Sequence, residues 1–140
     1  MNNQITIILL SHRSKNLVLN FIKDIHIKYK LIIIDNSNDI ELKKIIEKDY
    51  PEIVINIIEN NGYGSAINYA SKLVKTKYFL INNPDINGLN ENMINKFLDA
   101  AKTLNDNFSA LGPRFINANP KSLVQSNNIK NIEEMKFLSG

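Results

Sequence analysis

The feature that most constrains the fold is a series of short apolar segments that each stop at a polar loop. These segments span residues 5–10, 31–34, 53–58 and 78–82. They are rich in isoleucine and bounded by polar or turn-forming residues, which predicts buried strands. Amphipathic segments with helical spacing lie between them, over residues 16–25, 42–46 and 66–74. Strands that alternate with helices predict a doubly wound α/β fold with a parallel sheet and right-handed crossovers.

Local signals mark where these elements begin and end. Ser14 and Asp39 are placed to cap the first two helices, and Tyr50-Pro51 closes the second. Pro84 has no backbone N–H, so the regular hydrogen bonding of the fourth strand should end there. The sequence therefore predicts four strand–loop junctions, each at the carboxyl end of a strand.

The second half of the sequence is patterned less clearly. A longer amphipathic helix is predicted from Met93 to Leu104, followed by candidate strands over 110–116 and 122–125 with a turn at Asn119-Pro120 between them. The last residues carry only a weak pattern. The architecture is therefore better specified before residue 104 than after it.

The composition describes one globular domain and excludes several classes of protein. The chain has 140 residues, of which 44% are hydrophobic and 22% are charged. We predict one domain over 1–140, with an α/β core over 1–117 and a hairpin and tail over 118–140. It has no cysteine, and its net charge of +3 is scattered, which points away from disulfides and from nucleic acid. No apolar run approaches the roughly 18 residues of a membrane span, and we expect a cytoplasmic protein.

The four polar loops after the strands are predicted to share one edge of the sheet. They span residues 11–14, 35–39, 60–64 and 82–87. Ligands of open α/β sheets bind beyond the carboxyl ends of the strands, so Asp85 becomes a candidate ligand-binding carboxylate rather than only a turn residue. His12 has two open interpretations, a ligand contact or a solvent-facing side chain, whereas His26 is expected to be structural. The Gly62-Tyr63-Gly64 loop is either a phosphate-binding turn or simply a strand-to-helix turn.

Four motifs, taken in order, resemble a known family. They are Ser11-His12-Arg13-Ser14, Asp35-Asn36-Ser37-Asn38-Asp39, the stretch from Asn60 to Asn68, and Asn82-Asn83-Pro84-Asp85. Together they are similar to the nucleotide-sugar-binding half of family 2 glycosyltransferases of GT-A fold, and the last motif resembles the rhamnosyltransferase-like branch. The resemblance extends from about residue 5 to residue 140. It implies a Rossmann-like α/β fold and transfer of a sugar to an acceptor, as in cell-surface polysaccharide synthesis.

The resemblance also implies a donor site. Its donor-binding residues correspond to Ser11, Asp35, Asn60, Gly62, Asn68, Asn83 and Asp85. Asp35 would bond the base or ribose, and Asp85 would hold Mg²⁺ or Mn²⁺ on the diphosphate. The implied donor is a nucleotide-diphosphate sugar, UDP- or dTDP-linked, and the implied acceptor is a saccharide or a lipid-linked acceptor at the inner face of the membrane.

The sequence departs from the family pattern in three places. Asn83 stands where many members have Asp, and Arg13 replaces part of a tyrosine–asparagine pair. The general base of an inverting transfer is expected beyond Gly140, so no catalytic residue is assigned in this chain, and Glu133 and Glu134 are read as surface charges.

We therefore expect a truncated donor-binding half that lacks turnover alone. Because the acceptor half would cover apolar surface, self-association as a homo-oligomer or a complementary partner chain is expected. Two alternatives remain: a non-enzymatic nucleotide-binding or regulatory module, and an interaction protein on the same fold.

Overall fold

The computed structural model describes residues 2–86, 88–104 and 110–112. They belong to two compact units, residues 1–88 and 89–140. The first unit contains β1 (Asn2–Ser11), α1 (Lys15–Ile25), β2 (Tyr29–Asp35), α2 (Ile40–Asp49), β3 (Val54–Ile57), α3 (Tyr63–Ser71) and β4 (Tyr78–Asn82), and the second contains α4 (Glu91–Thr103). The predicted turn at 119–120, the strand over 122–125 and the tail lie outside the described residues, as does the predicted strand from residue 113 onward.

The four described strands form one parallel sheet in the order β3-β2-β1-β4, which confirms the predicted α/β architecture. The chain builds outward from β1 to β3 and then returns through α3 to place β4 on the other side of β1. The strand order therefore reverses beside β1, which is where ligands of such sheets collect. Register places Ser11 opposite Asp35 and Leu9 opposite Asn82, so the loops leave the same edge.

Alternation along the strands gives the sheet two apolar faces. One face is covered by α3, where Ile8, Leu10, Ile32 and Ile34 pack with Ala66 and Ala70. Alanine at both helix positions lets α3 lie close to the sheet. The intervening residues Ile7, Leu9 and Ile33 are fully buried on the opposite face, as are Val18 of α1 and Leu42 of α2. The core is therefore concentrated on β1 and β2.

Helix α3 differs from its predicted bounds. It begins at Tyr63, earlier than expected, and ends at Ser71 rather than continuing to residue 74. The last two apolar residues of the pattern, Leu73 and Val74, lie in turns closed by bonds from their N–H groups to the carbonyls of Ala70 (2.9 Å) and Ser71 (3.2 Å). Both side chains still pack against the core, so the apolar spacing at these two positions indicates burial and not a longer helix.

Helix α4 agrees with the prediction apart from its first residues. The Asn90 side chain accepts a hydrogen bond from Met93 N at 3.0 Å and caps the helix. Ile94, Leu98 and Ala101 are buried at i, i+4 and i+7, which is one face of a helix.

The outer strand β4 carries exposed apolar side chains. Phe79 and Ile81 are 44% and 38% exposed, and register puts them on the same face as Thr6 and Ile8. Within the first unit, α3 makes its sheet contacts mainly with β1 and β2. Across the described ranges, no helix is both long and apolar enough to pass through a membrane.

Candidate functional site

The loops after β1 and β2 are joined by a network built on Asp35. This carboxylate is fully buried, and its Oδ1 accepts hydrogen bonds from Ser37 N (2.9 Å) and Asp39 N (3.0 Å). The Ser37 hydroxyl donates to the same carboxylate, with Oδ2 at 3.0 Å, and accepts a bond from Arg13 N at 2.9 Å. The Arg13 backbone has a positive φ of 52° at that contact. Asp35 therefore holds the shape of both loops.

Ser11 is also buried and is paired within its own loop. Its hydroxyl lies 3.2 Å from the hydroxyl of Ser14, and its carbonyl accepts a bond from Asn36 N at 3.1 Å. Ser14 lies at the N-cap of α1 as predicted, but its side chain makes no capping hydrogen bond. Asp39, in contrast, caps α2 as predicted, since its Oδ1 accepts from Leu42 N at 2.8 Å.

A chain of side-chain hydrogen bonds crosses the carboxyl ends of three strands. His12 Nδ1 lies 2.8 Å from Asn36 Oδ1, and Asn36 Nδ2 donates to Asn60 Oδ1 at 3.1 Å. Asn60 Oδ1 also accepts from Gly62 N at 3.3 Å. Gly62 has φ of +90°, a conformation that favours glycine, and it is the N-cap residue that precedes α3. The chain therefore links the loops after β1, β2 and β3.

The end of β4 has the opposite character. Asp85 is exposed, and its carboxylate has no hydrogen bond or ion pair among the residues that the structure describes. Asn82 is buried, and its Nδ2 donates to the carbonyl of Asn83 at 2.7 Å, which also accepts from Ile86 N at 3.1 Å. These bonds fix the backbone of the loop and leave the Asp85 side chain available to a ligand.

The predicted residues Gly62 and Asn68 lie at two points along α3. Gly62 precedes the helix, whereas Asn68 is exposed within it and has no side-chain hydrogen bond in the described part of the chain. Between them, Tyr63 is half exposed, and partial burial raises the pKa of its phenol. The structure places Gly62 in the hydrogen-bonded loop cluster and Asn68 outside it.

A cleft of about 670 Å³ lies between the starts of α1 and α2. Lys15 and Glu41 form an ion pair there, with Nζ and Oε2 2.6 Å apart. Glu41 holds the pKa of Lys15 above its usual value, and Lys15 lowers the pKa of Glu41. Because the two charges pair with each other, this pair leaves no unpaired charge in the cleft.

Sequence reasoning missed how Asn36 and Ser37 are used. Both belong to the motif after β2, but no role was assigned to either. The signal was available in the parallel register, because pairing Ser11 with Asp35 puts the following residues, His12 and Asn36, side by side. Which atoms bond could not be foreseen, since that depends on loop dihedrals. Among the described residues, no group of three or more His, Asp and Glu side chains is placed to hold a metal ion.

Comparison with known proteins identifies the family. The model of glycosyl transferase family 2 matches residues 6–139. The chain belongs to glycosyl transferase family 2. No curated protein sequence matches it. This membership confirms the family part of the resemblance, and it agrees with the parallel sheet of the GT-A fold.

Two solved structures have a similar fold. One is Staphylococcus aureus TarS 1-349, with a TM-score of 0.55 and 14% identity over 73% of this chain. The other is the same protein in complex with UDP-GlcNAc, with a TM-score of 0.53 and 14% identity. The family 2 chain described here spans about a third of the length of each, 33% and 32%. At this identity the likeness concerns the fold.

Proposed function

We propose that this chain binds a nucleotide-diphosphate sugar at the carboxyl edge of its sheet and serves the donor side of a glycosyl transfer. The observation that carries the proposal is the exposed Asp85 carboxylate after β4, which no described residue bonds and which lies beside the point where the strand order reverses. Membership of family 2 supports it, as does the fold shared with TarS, which was solved with UDP-GlcNAc.

The residues at the end of β4 fit a hard divalent cation. Asp85 offers a free carboxylate, and Asn83, which is partly buried, offers an amide oxygen; oxygen ligands of this kind suit Mg²⁺ or Mn²⁺. A bound cation would neutralise charge on the leaving nucleoside diphosphate. With a single carboxylate in the motif, the remaining ligands would be diphosphate oxygens and water. The bonds to the Asn83 carbonyl hold the loop that presents Asp85.

The other residues of the site fall into two groups. Asn60 and Gly62 are exposed at the edge and would border the donor, with Asn68 farther along α3. Ser11 and Asp35 are buried, so we assign them to loop positioning. For Asp35 to bond a base or ribose directly, as the resemblance implies, the surrounding loops would have to expose its buried carboxylate.

Several finer features belong to the same proposal. The donor is UDP- or dTDP-linked, the transferred sugar is of the rhamnosyl type, and the acceptor is a saccharide or lipid-linked acceptor of cell-surface polysaccharide at the cytoplasmic face of the membrane. The general base comes from an acceptor-binding half beyond Gly140, or from a second copy or partner chain that completes the site. The exposed Phe79 and Ile81 are consistent with such a partner.

Thermal unfolding with UDP tests the metal-dependent site. UDP should raise the melting temperature of the wild type only when Mg²⁺ or Mn²⁺ is present, because ligand that binds the native state stabilises it by about 2.7 kcal/mol at 100 times Kd. Asp85→Ala should abolish the rise. Asp49→Ala is the matched control, since Asp49 is an exposed acid at the far end of α2, and it should leave the rise intact.

Two outcomes would redirect the proposal. A shift that ignores metal and survives Asp85→Ala would remove the assigned site. Tight UDP binding without consumption of any sugar nucleotide, in an assay that supplies saccharide acceptors together with the acceptor-binding half or partner chain, would instead favour the non-enzymatic nucleotide-binding module.

A further inference from the structure

We infer that His12 is a specificity-determining residue, whose Nε2 atom accepts a hydrogen bond from the nucleoside of the donor. The bonded chain from Gly62 through Asn60 and Asn36 fixes the imidazole in the tautomer that carries its proton on Nδ1. The inference rests on the proposed nucleotide binding and names the kind of group that is recognised: a neutral hydrogen-bond donor, either a ribose hydroxyl or an imide N–H of the base.

The tautomer follows from one atom whose chemistry is unambiguous. Gly62 N is a backbone N–H and can only donate, so the Asn60 atom 3.3 Å away is its oxygen. That same oxygen lies 3.1 Å from the Asn36 amide, which must therefore present its NH₂ group. The other end of the Asn36 amide, 2.8 Å from His12 Nδ1, is then the oxygen. An amide oxygen only accepts, so Nδ1 carries the proton.

Turning either asparagine amide of this chain by 180° would place two acceptors or two donors against each other. An Asn36 amide turned by 180° would face the Asn60 oxygen with its own oxygen at about the same distance, and a turned Asn60 amide would face the Gly62 N–H with an NH₂ group. Either arrangement loses hydrogen bonds and adds repulsion. The direction of the whole chain is thus set by the backbone of the loop before α3.

The consequence appears at the opposite edge of the imidazole ring. When Nδ1 carries the proton of a neutral histidine, Nε2 has a lone pair and accepts. His12 is exposed, and within the described residues Nε2 has no hydrogen-bond partner. It lies in the loop after β1, next to the reversal of strand order. A nucleoside bound there is therefore recognised by a donor group, such as the N3–H of uracil or thymine, whereas N3 of cytosine is an acceptor.

His26 provides an internal comparison. Its Nδ1 lies 2.8 Å from the Ile22 carbonyl oxygen, which only accepts, so His26 also carries its proton on Nδ1. This contact is local to α1 and independent of the amide chain. The protein therefore holds two histidines of the same tautomer for different reasons, and a change in Asn36 should affect only one.

Nitrogen-15 NMR of the ligand-free protein tests the tautomer directly. In alkaline solution the long-range proton–nitrogen correlations of His12 and His26 should both show protonated Nδ1 and unprotonated Nε2. Asn36→Ala should move His12 toward protonated Nε2, the form that a solvated imidazole prefers, while His26 stays unchanged. Protonated Nε2 at His12 in the wild type, or no response to Asn36→Ala, would overturn the inference.

Nucleotide analogues test the recognition step and separate its two sources. Titrations with UDP, N3-methyl-UDP and 2′- and 3′-deoxy-UDP should show one analogue bound roughly tenfold more weakly than UDP, the cost of one lost hydrogen bond. The N3-methyl analogue reports on the base and the deoxy analogues report on the ribose. In His12→Phe, which keeps a flat ring but no acceptor, this preference should disappear, and His12→Gln should restore part of it.

The outcomes also separate this inference from the proposed function. Equal preference in wild type and His12→Phe, with UDP binding intact, would overturn the role of His12 and leave the function standing. If the wild type binds no nucleotide at all, the proposed function fails and the recognition step with it, whereas the NMR result still reports the tautomer.

Discussion

The ends of β2 and β4 carry the same residue type in opposite states. Asp35 follows the apolar core of β2, is fully buried and accepts bonds from Ser37 and Asp39. Asp85 follows β4, is exposed and has no partner in the described part of the chain. A carboxylate after a buried strand can therefore either build the loop or serve a ligand, and its partners decide which.

The cause lies in the residues beside each carboxylate. After Asp35 the chain turns so that the N–H groups two and four residues later, and the hydroxyl of Ser37, point back at it. Around Asp85 the loop is held by other groups, chiefly the Asn83 carbonyl, and Pro84 supplies no N–H. The loop after β2 therefore uses the Asp35 carboxylate to hold its own backbone, whereas the loop after β4 leaves the Asp85 carboxylate without a bond to any described residue.

The largest expected effect comes from removing each carboxylate in turn. Asp35→Ala should lower the free energy of unfolding by about 3 kcal/mol, since three donors lose their acceptor at roughly 1 kcal/mol each. Asp85→Ala should change it by less than about 0.5 kcal/mol, as expected for an exposed side chain without partners. Urea unfolding of both variants measures the difference. Similar losses in the two variants would show that the two carboxylates do not differ in their contribution to the fold.

The fold was largely predictable because its signals are local. Short apolar runs and helical spacing placed all four described strands, and register then follows from burying both faces. The shared loop edge follows from the parallel order alone. The bonding of Asp35 and the isolation of Asp85 were not predictable, because both depend on loop dihedrals, such as the positive φ of Asn38 between Asp35 and Asp39, that the sequence pattern does not specify.

A second carboxylate at the end of β4 is expected to strengthen cation binding there. Asn83→Asp should lower the Mg²⁺ concentration needed for UDP stabilisation by roughly tenfold, about 1.4 kcal/mol, because it adds a charged oxygen ligand beside Asp85. Mg²⁺ titrations at fixed UDP, followed by melting temperature, measure this. Asn20→Asp in α1 is the control for added charge alone. An unchanged Mg²⁺ requirement in Asn83→Asp would show that residue 83 does not face the cation.

A smaller loss of stability is expected when the side chain that caps α2 is removed. Asp39→Ala should cost about 1 kcal/mol of stability, because Leu42 N loses its 2.8 Å bond to the Asp39 side chain. Asp39→Ser keeps a capping oxygen and should cost only a few tenths of that. Urea midpoints distinguish the two variants. If serine and alanine cost the same, capping is not what Asp39 contributes, and its N–H bond to Asp35 alone accounts for its place in the loop.

The smallest effect is expected from the ion pair that joins the starts of α1 and α2. Lys15 lowers the pKa of Glu41, so the pair's stabilisation is present above the ordinary carboxyl pKa and is lost as pH falls through the lowered value. Glu41 raises the pKa of Lys15, so at high pH the contribution is lost as pH rises through that raised value. The melting difference between wild type and Glu41→Gln should therefore peak near neutral pH and shrink with added salt, because both groups are exposed to solvent. It should remain a small fraction of the Asp35→Ala change at every pH. A difference that rivals Asp35→Ala, or that persists in high salt, would mean that surface charge rather than the buried carboxylate holds these two loops together.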